Sequence, residues 1–117
     1  MTHPVAVTPL LADLGIVEGQ RIVLLSFEHY DDWSDLRFAR VDEGADRPIA
    51  RRVPAADAWT VAVDGAVHEV VDAVGRGDRA FSNGEVRIRP ALIPGTSTHI
   101  TVQVTPDTAA LGATVTA

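Results

Sequence analysis

The sequence predicts an all-β fold, a single antiparallel β-sandwich of about seven strands. Three observations carry that expectation. β-Branched runs flank the Asp64-Gly65 pair across residues 59–72; such a pair accepts positive φ, and the turn it makes suits the twist of two antiparallel strands. Residues 85–90 and 99–105 alternate apolar and polar side chains, the period of a half-buried strand. Turn-forming Gly, Pro, Asn and Asp recur between short strand-like runs, with at most one helical turn. A small barrel is the competing all-β arrangement.

Taken in order, Thr8-Pro9-Leu10 to Gly15 reads as a short helical turn, with Thr8 as cap, Pro9 at the first helical position and Gly15 as stop. An extended edge segment is the alternative, because residues 4–7 are strand-like and Pro is tolerated at edges. Glu18-Gly19-Gln20 is a turn. Residues 21–30 form the longest β-like run, with Val23, Leu25 and Phe27 expected on one face and Ile22, Leu24 and Ser26 on the other. Residues 36–41 resume as a strand, with Leu36 and Phe38 opposite Arg37; the two runs form a hairpin across residues 31–35. Residues 42–57 are a polar, Pro-broken crossing connection. The 59–72 hairpin follows. A two-residue turn pairs Val61 with His68, whereas a Gly bulge moves the pairing by one. Residues 75–84 read as a Gly-rich loop. Val86 and Ile88 face inward and Arg87 and Arg89 outward. Ile100, Val102 and Val104 face inward and His99, Thr101 and Gln103 outward. The tail adds a last strand at residues 113–116 or frays.

A chain of 117 residues has the size of one domain. The expectation is one domain over residues 1–117, with a core at 20–105 and peripheral segments at 1–15 and 106–117. At 46% hydrophobic and 22% charged residues, the chain can fill one core and is too apolar to be disordered. A net charge of −6 opposes bulk attraction to nucleic acid or to anionic membranes. Every basic residue is Arg and none is Lys, a coding bias expected of a G+C-rich genome. The lack of Cys excludes disulfides, thiolate metal sites and Cys nucleophiles, and it fits a reducing compartment. The first residues show no basic segment leading into an apolar run, and no apolar stretch reaches the ~20 residues of a membrane helix. These features lead to the expectation of a cytoplasmic protein.

The order of features has a further meaning. A strand ends in an acidic turn at residues 27–35, and a Trp-led strand runs into Asp-Gly at 59–65. A Gly-rich loop follows at 75–84, then Arg-Pro-Ala-Leu with Pro-Gly after it at 89–95, then an alternating strand. This resembles uncharacterised bacterial domains with an immunoglobulin-like β-sandwich. The resemblance covers residues 21–105 and implies the fold alone, since every piece of it is a structural signal.

Candidate chemistry is sparse. Asp31, Asp32 and Asp35, with Glu28, gather hard oxygen atoms of the kind Ca²⁺ uses, but their spacing is not that of a Ca²⁺ loop, and Asp favours turns for its own reasons. His29 beside them could serve as an acid/base group or a ligand. The four His residues are scattered, with no i,i+4 pair. No Ser sits in a nucleophile elbow, and residues 75–84 lack the Gly-Lys-Ser/Thr ending of a phosphate loop. Arg76-Gly77-Asp78 reads as a turn. No catalytic residue, metal or cofactor is therefore assigned. If 85–90 and 99–105 are neighbours, Arg87, Arg89, His99, Thr101 and Gln103 share a locally basic outer face able to meet carboxylates. Trp59 reads as a core anchor and Trp33, in a polar turn, as a contact residue.

Two functions follow as expectations. The first is a non-enzymatic domain that binds a protein partner, or itself, through an edge strand or the outer sheet face. The second is a small-ligand or metal-binding domain that uses the acidic turn at 28–35.

Overall fold

The computed structural model describes residues 3–17, 19–42, 56–77, 81–104 and 108–117. Among the described residues there are eight strands: β1 (Ala6–Val17), β2 (Gln20–His29), β3 (Ser34–Asp42), β4 (Trp59–Val63), β5 (Ala66–Gly77), β6 (Phe81–Arg89), β7 (Ser97–Val102) and β8 (Leu111–Thr116). A 3-10 turn at Ala56–Ala58 leads into β4. Most of the connection expected at 42–57 lies outside the described residues, as does Asp78.

Every pairing is antiparallel, and one sheet runs β1-β2-β3-β6-β5-β4-β7-β8. The sheet is folded on itself into a nearly closed barrel. β5 makes the corner. Its first residues pair with β4 and the rest with β6, and the register shifts between Val70 and Asp72. Bulges at such places increase local bend and twist. Strand directions alternate around the order, so β1 and β8 approach antiparallel across a seam with no ladder between them. A Cβ added to Gly15 of β1 would lie 3.8 Å from the Leu111 side chain of β8.

The expected hairpin of β2 and β3 is present, and Trp59 is buried, packed against Phe38 with ring centroids 4.9 Å apart. The 59–72 hairpin takes the two-residue register. Val63 pairs with Ala66 and Val61 with His68, and Asp64 and Gly65 have φ of 50° and 81°. The expected inward sets of β6 and β7 hold for Val86, Ile88, Ile100 and Val102, which are fully buried.

Two local expectations are overturned and one open choice is decided. Residues 8–15 take the extended edge reading, not the helical turn. Leu10, Ala12 and Leu14 alternate into the core, and that burial outweighs the local helix-start signal. Residues 75–84 are mostly strand, because β5 continues to Gly77 and β6 begins at Phe81. In β2 the inward set is Ile22, Leu24, Phe27 and His29, because a bulge at Leu25 shifts the phase by one residue. The segments expected at the periphery contribute β1 and β8.

The interior is layered. Leu24, Phe38 and Gly84 align across three strands, and so do Phe27, Leu36 and Val86. Gly84 is required there: a Cβ would lie 2.4 Å from the Val74 carbonyl and 2.8 Å from the Phe38 ring. Polar side chains close both ends. At one end Arg40 donates to Ser82 Oγ at 3.2 Å and to Gln20 Oε1 at 3.3 Å. At the other lie His29, Ser34 and Thr8.

Candidate functional site

Cross-strand pairing decides which candidate residues meet. On the outer face of β2, β3, β6 and β5, one row reads Glu28, Asp35, Arg87, Asp72 and the next reads Ser26, Arg37, Glu85, Val74. Arg87 forks onto Asp35, with Nε to Oδ1 at 3.0 Å and Nη2 to Oδ2 at 3.2 Å. The Asp35 side chain is 4% exposed and that of Arg87 44%. The same guanidinium lies 4.6 Å over the Trp33 ring, a cation–π contact, and Tyr30 stacks on Trp33 at 4.8 Å. Arg37 reaches Glu28 at 3.3 Å and Glu85 at 3.5 Å.

These two rows are acidic, not basic, since Glu28, Asp35, Asp72 and Glu85 surround Arg37 and Arg87. The hydrogen bond to Asp35 raises the pKa of Arg87, and burial followed by the charges of Glu28, Asp35 and Glu85 raises that of Tyr30. Trp33 is half-buried, and its Nε1 is buried with no hydrogen-bond partner among the described residues. A groove of about 410 Å³ lies alongside, lined by Arg37, Val74, Gly75, Asn83, Gly84 and Glu85.

The acidic turn does not converge. Asp31 and Asp32 are exposed, while Asp35 points to Arg87. Asp31, Asp32, His68, Glu69 and Arg89 line an open depression of about 790 Å³. His68 Nδ1 lies 3.2 Å from the Pro90 carbonyl, an acceptor only, so Nδ1 carries the proton. Among the described residues, no three His, Asp or Glu side chains stand close enough to hold a metal ion.

His29 is buried at the end of β2. It is 1% exposed, with Nδ1 2.8 Å from Ser34 Oγ and Nε2 3.3 Å from Thr8 Oγ1, and its ring stacks on Phe27 at 5.7 Å. Ser34 Oγ also accepts the Leu92 N–H at 2.9 Å. Burial lowers the pKa of His29, which favours the neutral ring. The expected grouping of Arg87 and Arg89 with His99, Thr101 and Gln103 does not form, because β5 and β4 stand between β6 and β7. His99 is exposed on β7 and hydrogen-bonds Thr114 of β8 at 3.1 Å.

A different pattern organises the surface. Contiguous strands β2, β3, β6 and β5 carry twelve charged residues: Arg21, Glu28, Asp35, Arg37, Arg40, Asp42, Glu69, Asp72, Arg76, Glu85, Arg87 and Arg89. The other four strands, β4, β7, β8 and β1, are contiguous across the seam and carry one, Asp13, which pairs with Arg21 at 2.6 Å. No protein-family model, curated protein or solved structure matches this chain.

The outer side of this uncharged arc presents Thr60, Ser97, His99, Thr114 and Thr116 on β4, β7 and β8. On and just before β1 it presents Val5 at 64% exposure, Val7 at 57%, Leu11 at 77% and Ile16 at 45%. Residue-by-residue reading missed this sorting. Counting charges strand by strand would have exposed it, but only with β1 and β8 recognised as strands. Among the described residues, no helix is long and apolar enough to cross a membrane.

Proposed function

We propose that the chain is a non-enzymatic protein-interaction domain that meets its partner through the uncharged arc. The observation that carries this reading is the set of exposed apolar side chains on β1, an edge strand with one charge; β5 also exposes Val67, Val71 and Val74, but on an inner strand that carries Glu69, Asp72 and Arg76. Exposed aliphatic groups gathered on one strand form a patch that gains by being covered, whereas single ones scattered over a surface need no explanation. The edges support the same reading. β1 is blunted by Pro9, two register shifts and Leu11 at φ 52°, but β8 has no charge, no Pro and no bulge. An edge of that kind is open to association.

The finer description as an immunoglobulin-like sandwich belongs to the same proposal. It is supported by the change of partner along β5, which would divide β1, β2, β3 and β6 from β4, β7 and β8. The acidic turn is the weaker candidate, since its one buried carboxylate is committed to Arg87.

Photo-crosslinking tests the reading. A photoreactive residue in place of Leu11 should give a discrete protein adduct, and one in place of Asp64, at the turn tip, should not. Melting with Ca²⁺, Zn²⁺ or EDTA should leave the midpoint unchanged, because only a ligand that binds the native state raises it. A Ca²⁺- or Zn²⁺-dependent rise without an adduct from position 11 would reverse the choice.

A further inference from the structure

We infer that residues 5–9, the first part of β1 with Val5 before it, are an acid-released strap: protonation of His29 frees them from β2 while the rest of the barrel stays folded. This release does not depend on the partner proposed above.

The strap is separable from the rest of β1. Its residues pair with 26–29 of β2 on one side, beginning with the Val5 N–H on the His29 carbonyl at 2.7 Å, and β1 has no ladder on its other side among the described residues. A register shift between Pro9 and Ala12, with Leu11 at φ 52°, sets it off from the second half of the strand. None of its side chains is buried, whereas Leu14 of the second half is. Little apolar burial therefore opposes its release, and edge segments of this kind open at less cost than the whole fold. Among the described residues, the side-chain hydrogen bond that fastens it to the barrel is that of Thr8 Oγ1 with His29 Nε2, at 3.3 Å.

The bonds around His29 suit the neutral ring. Ser34 Oγ accepts the Leu92 N–H at 2.9 Å, and His29 Nδ1, at 2.8 Å, is the acceptor for its own hydroxyl hydrogen. Nε2 then carries the ring proton and donates it to Thr8 Oγ1. A second proton on Nδ1 would point at the hydroxyl hydrogen of a fully buried Ser34, which must turn away and lose its acceptor. No carboxylate compensates the new charge. Glu28 bonds Arg37, Asp35 bonds Arg87, and Asp31 and Asp32 are exposed. Tyr30 stacks on Trp33, His68 bonds the Pro90 carbonyl and exposed His3 the Pro4 carbonyl. Glu69 and Arg89 are exposed as well, and residues 5–9 and 91–93 carry no ionisable side chain. Of the elements around the ring, the strap is the one held with no buried side chain, so its departure is the route by which water reaches the imidazolium. The departure also leaves the backbone of residues 26–29 unpaired on that side, a fresh strand edge.

Burial holds the pKa of His29 below its ordinary value while the strap is closed, so a proton favours the open form. Closure is preferred most strongly above the ordinary value of about 6.5 and loses that preference as pH falls below it, by up to about tenfold per pH unit.

Native-state hydrogen exchange on the full chain, at about pH 7.5 and about pH 5.5, one unit either side of the ordinary His value, tests this with and without low urea. After correction for the intrinsic pH dependence of exchange, protection of the amides at residues 5–8 should fall about tenfold at the lower pH. It should not respond to urea, because a local opening exposes little surface. The amides of β3 and β6 should stay better protected at both pH values and should respond to urea. Thr8→Val removes the fastening bond at a half-buried position and should lower protection of the strap several-fold at both pH values. His29→Gln, which takes up no proton, should keep the local opening and lose its response to acid. Strap amides equally protected at both pH values would overturn the inference. So would a urea response equal to that of β3 and β6, an acid response that survives His29→Gln, or a Thr8→Val chain with unaltered strap protection.

Discussion

The two arcs of the barrel share one interior and differ outside. The charged arc ties its own strands together: Asp35 on β3 holds Arg87 on β6, and Arg37 on β3 sits between Glu28 on β2 and Glu85 on β6. These side chains are paired with one another, and a partner that docks on them must break or desolvate those pairs. The uncharged arc has almost nothing to break. Its outward side chains are hydroxyls, one His, the paired Asp13 and a run of aliphatic groups, and it contains the seam between β8 and β1. The difference shows where a barrel of this kind can give up surface cheaply, and that place is not where its ionisable residues are.

The sharpest way to break the comparison is at the joint between the arcs. Trp59 of β4 packs on Phe38 of β3 inside the barrel. Trp59→Ala should cost about 3–5 kcal/mol by leaving a cavity in the shared core, as read by urea unfolding. Trp33→Ala, at the half-buried turn, should cost clearly less. Equal losses would erase the distinction between the core Trp and the surface Trp.

Gly84→Ala comes next. The added methyl meets the Val74 carbonyl and the Phe38 ring, so a loss of about 1–3 kcal/mol is expected from overpacking. Asp35→Asn tests the internal tie of the charged arc. It should cost about 1–2 kcal/mol, moderated because Arg87 is partly in solvent.

A pH series probes the contact between the arcs at His29, which links β2 to Thr8 of β1. The pKa of His29 is lower in the folded chain than in the unfolded one, so the unfolded state takes up the proton first. Its contribution to stability is full above the unfolded value of about 6.5 and is lost as pH falls below that toward the folded value. One such group gives a slope of at most about 1.4 kcal/mol per pH unit. His29→Gln should flatten that part of the profile even though it lowers stability overall. The smallest effect is expected for Arg37→Ala, below about 0.5 kcal/mol, because its pairs are solvent-exposed.

Much of the fold was legible in the sequence, and particular residues show why the rest was not. Asp64-Gly65 announced its hairpin because both central residues of that turn need positive φ, a demand few residue types meet. Leu25 concealed its bulge: an extra residue among Val, Leu and Phe leaves no compositional trace, so strict alternation groups Phe27 with Val23 and Leu25 when it lies with Ile22 and Leu24. Thr8, Pro9 and Gly15 mimicked a helix because capping chemistry is local, whereas the pull of Leu10, Ala12 and Leu14 into the barrel is not. The candidate surface was harder still. Arg87 finds Asp35 across 52 positions of sequence, and the neutral sector exists only when β8, at one end of the chain, is set beside β1 at the other.

Hydroxyl-radical footprinting of the purified protein and of the same protein in a dense extract of its source cells sets the two arcs side by side in one experiment. Oxidation at Val7, Leu11 and Ile16 should fall several-fold in the extract, while Val67, Val71 and Val74 stay as reactive as before. Equal reactivity of both sets in both samples, or protection confined to the β5 valines, would contradict the assignment of the uncharged arc as the surface this chain uses.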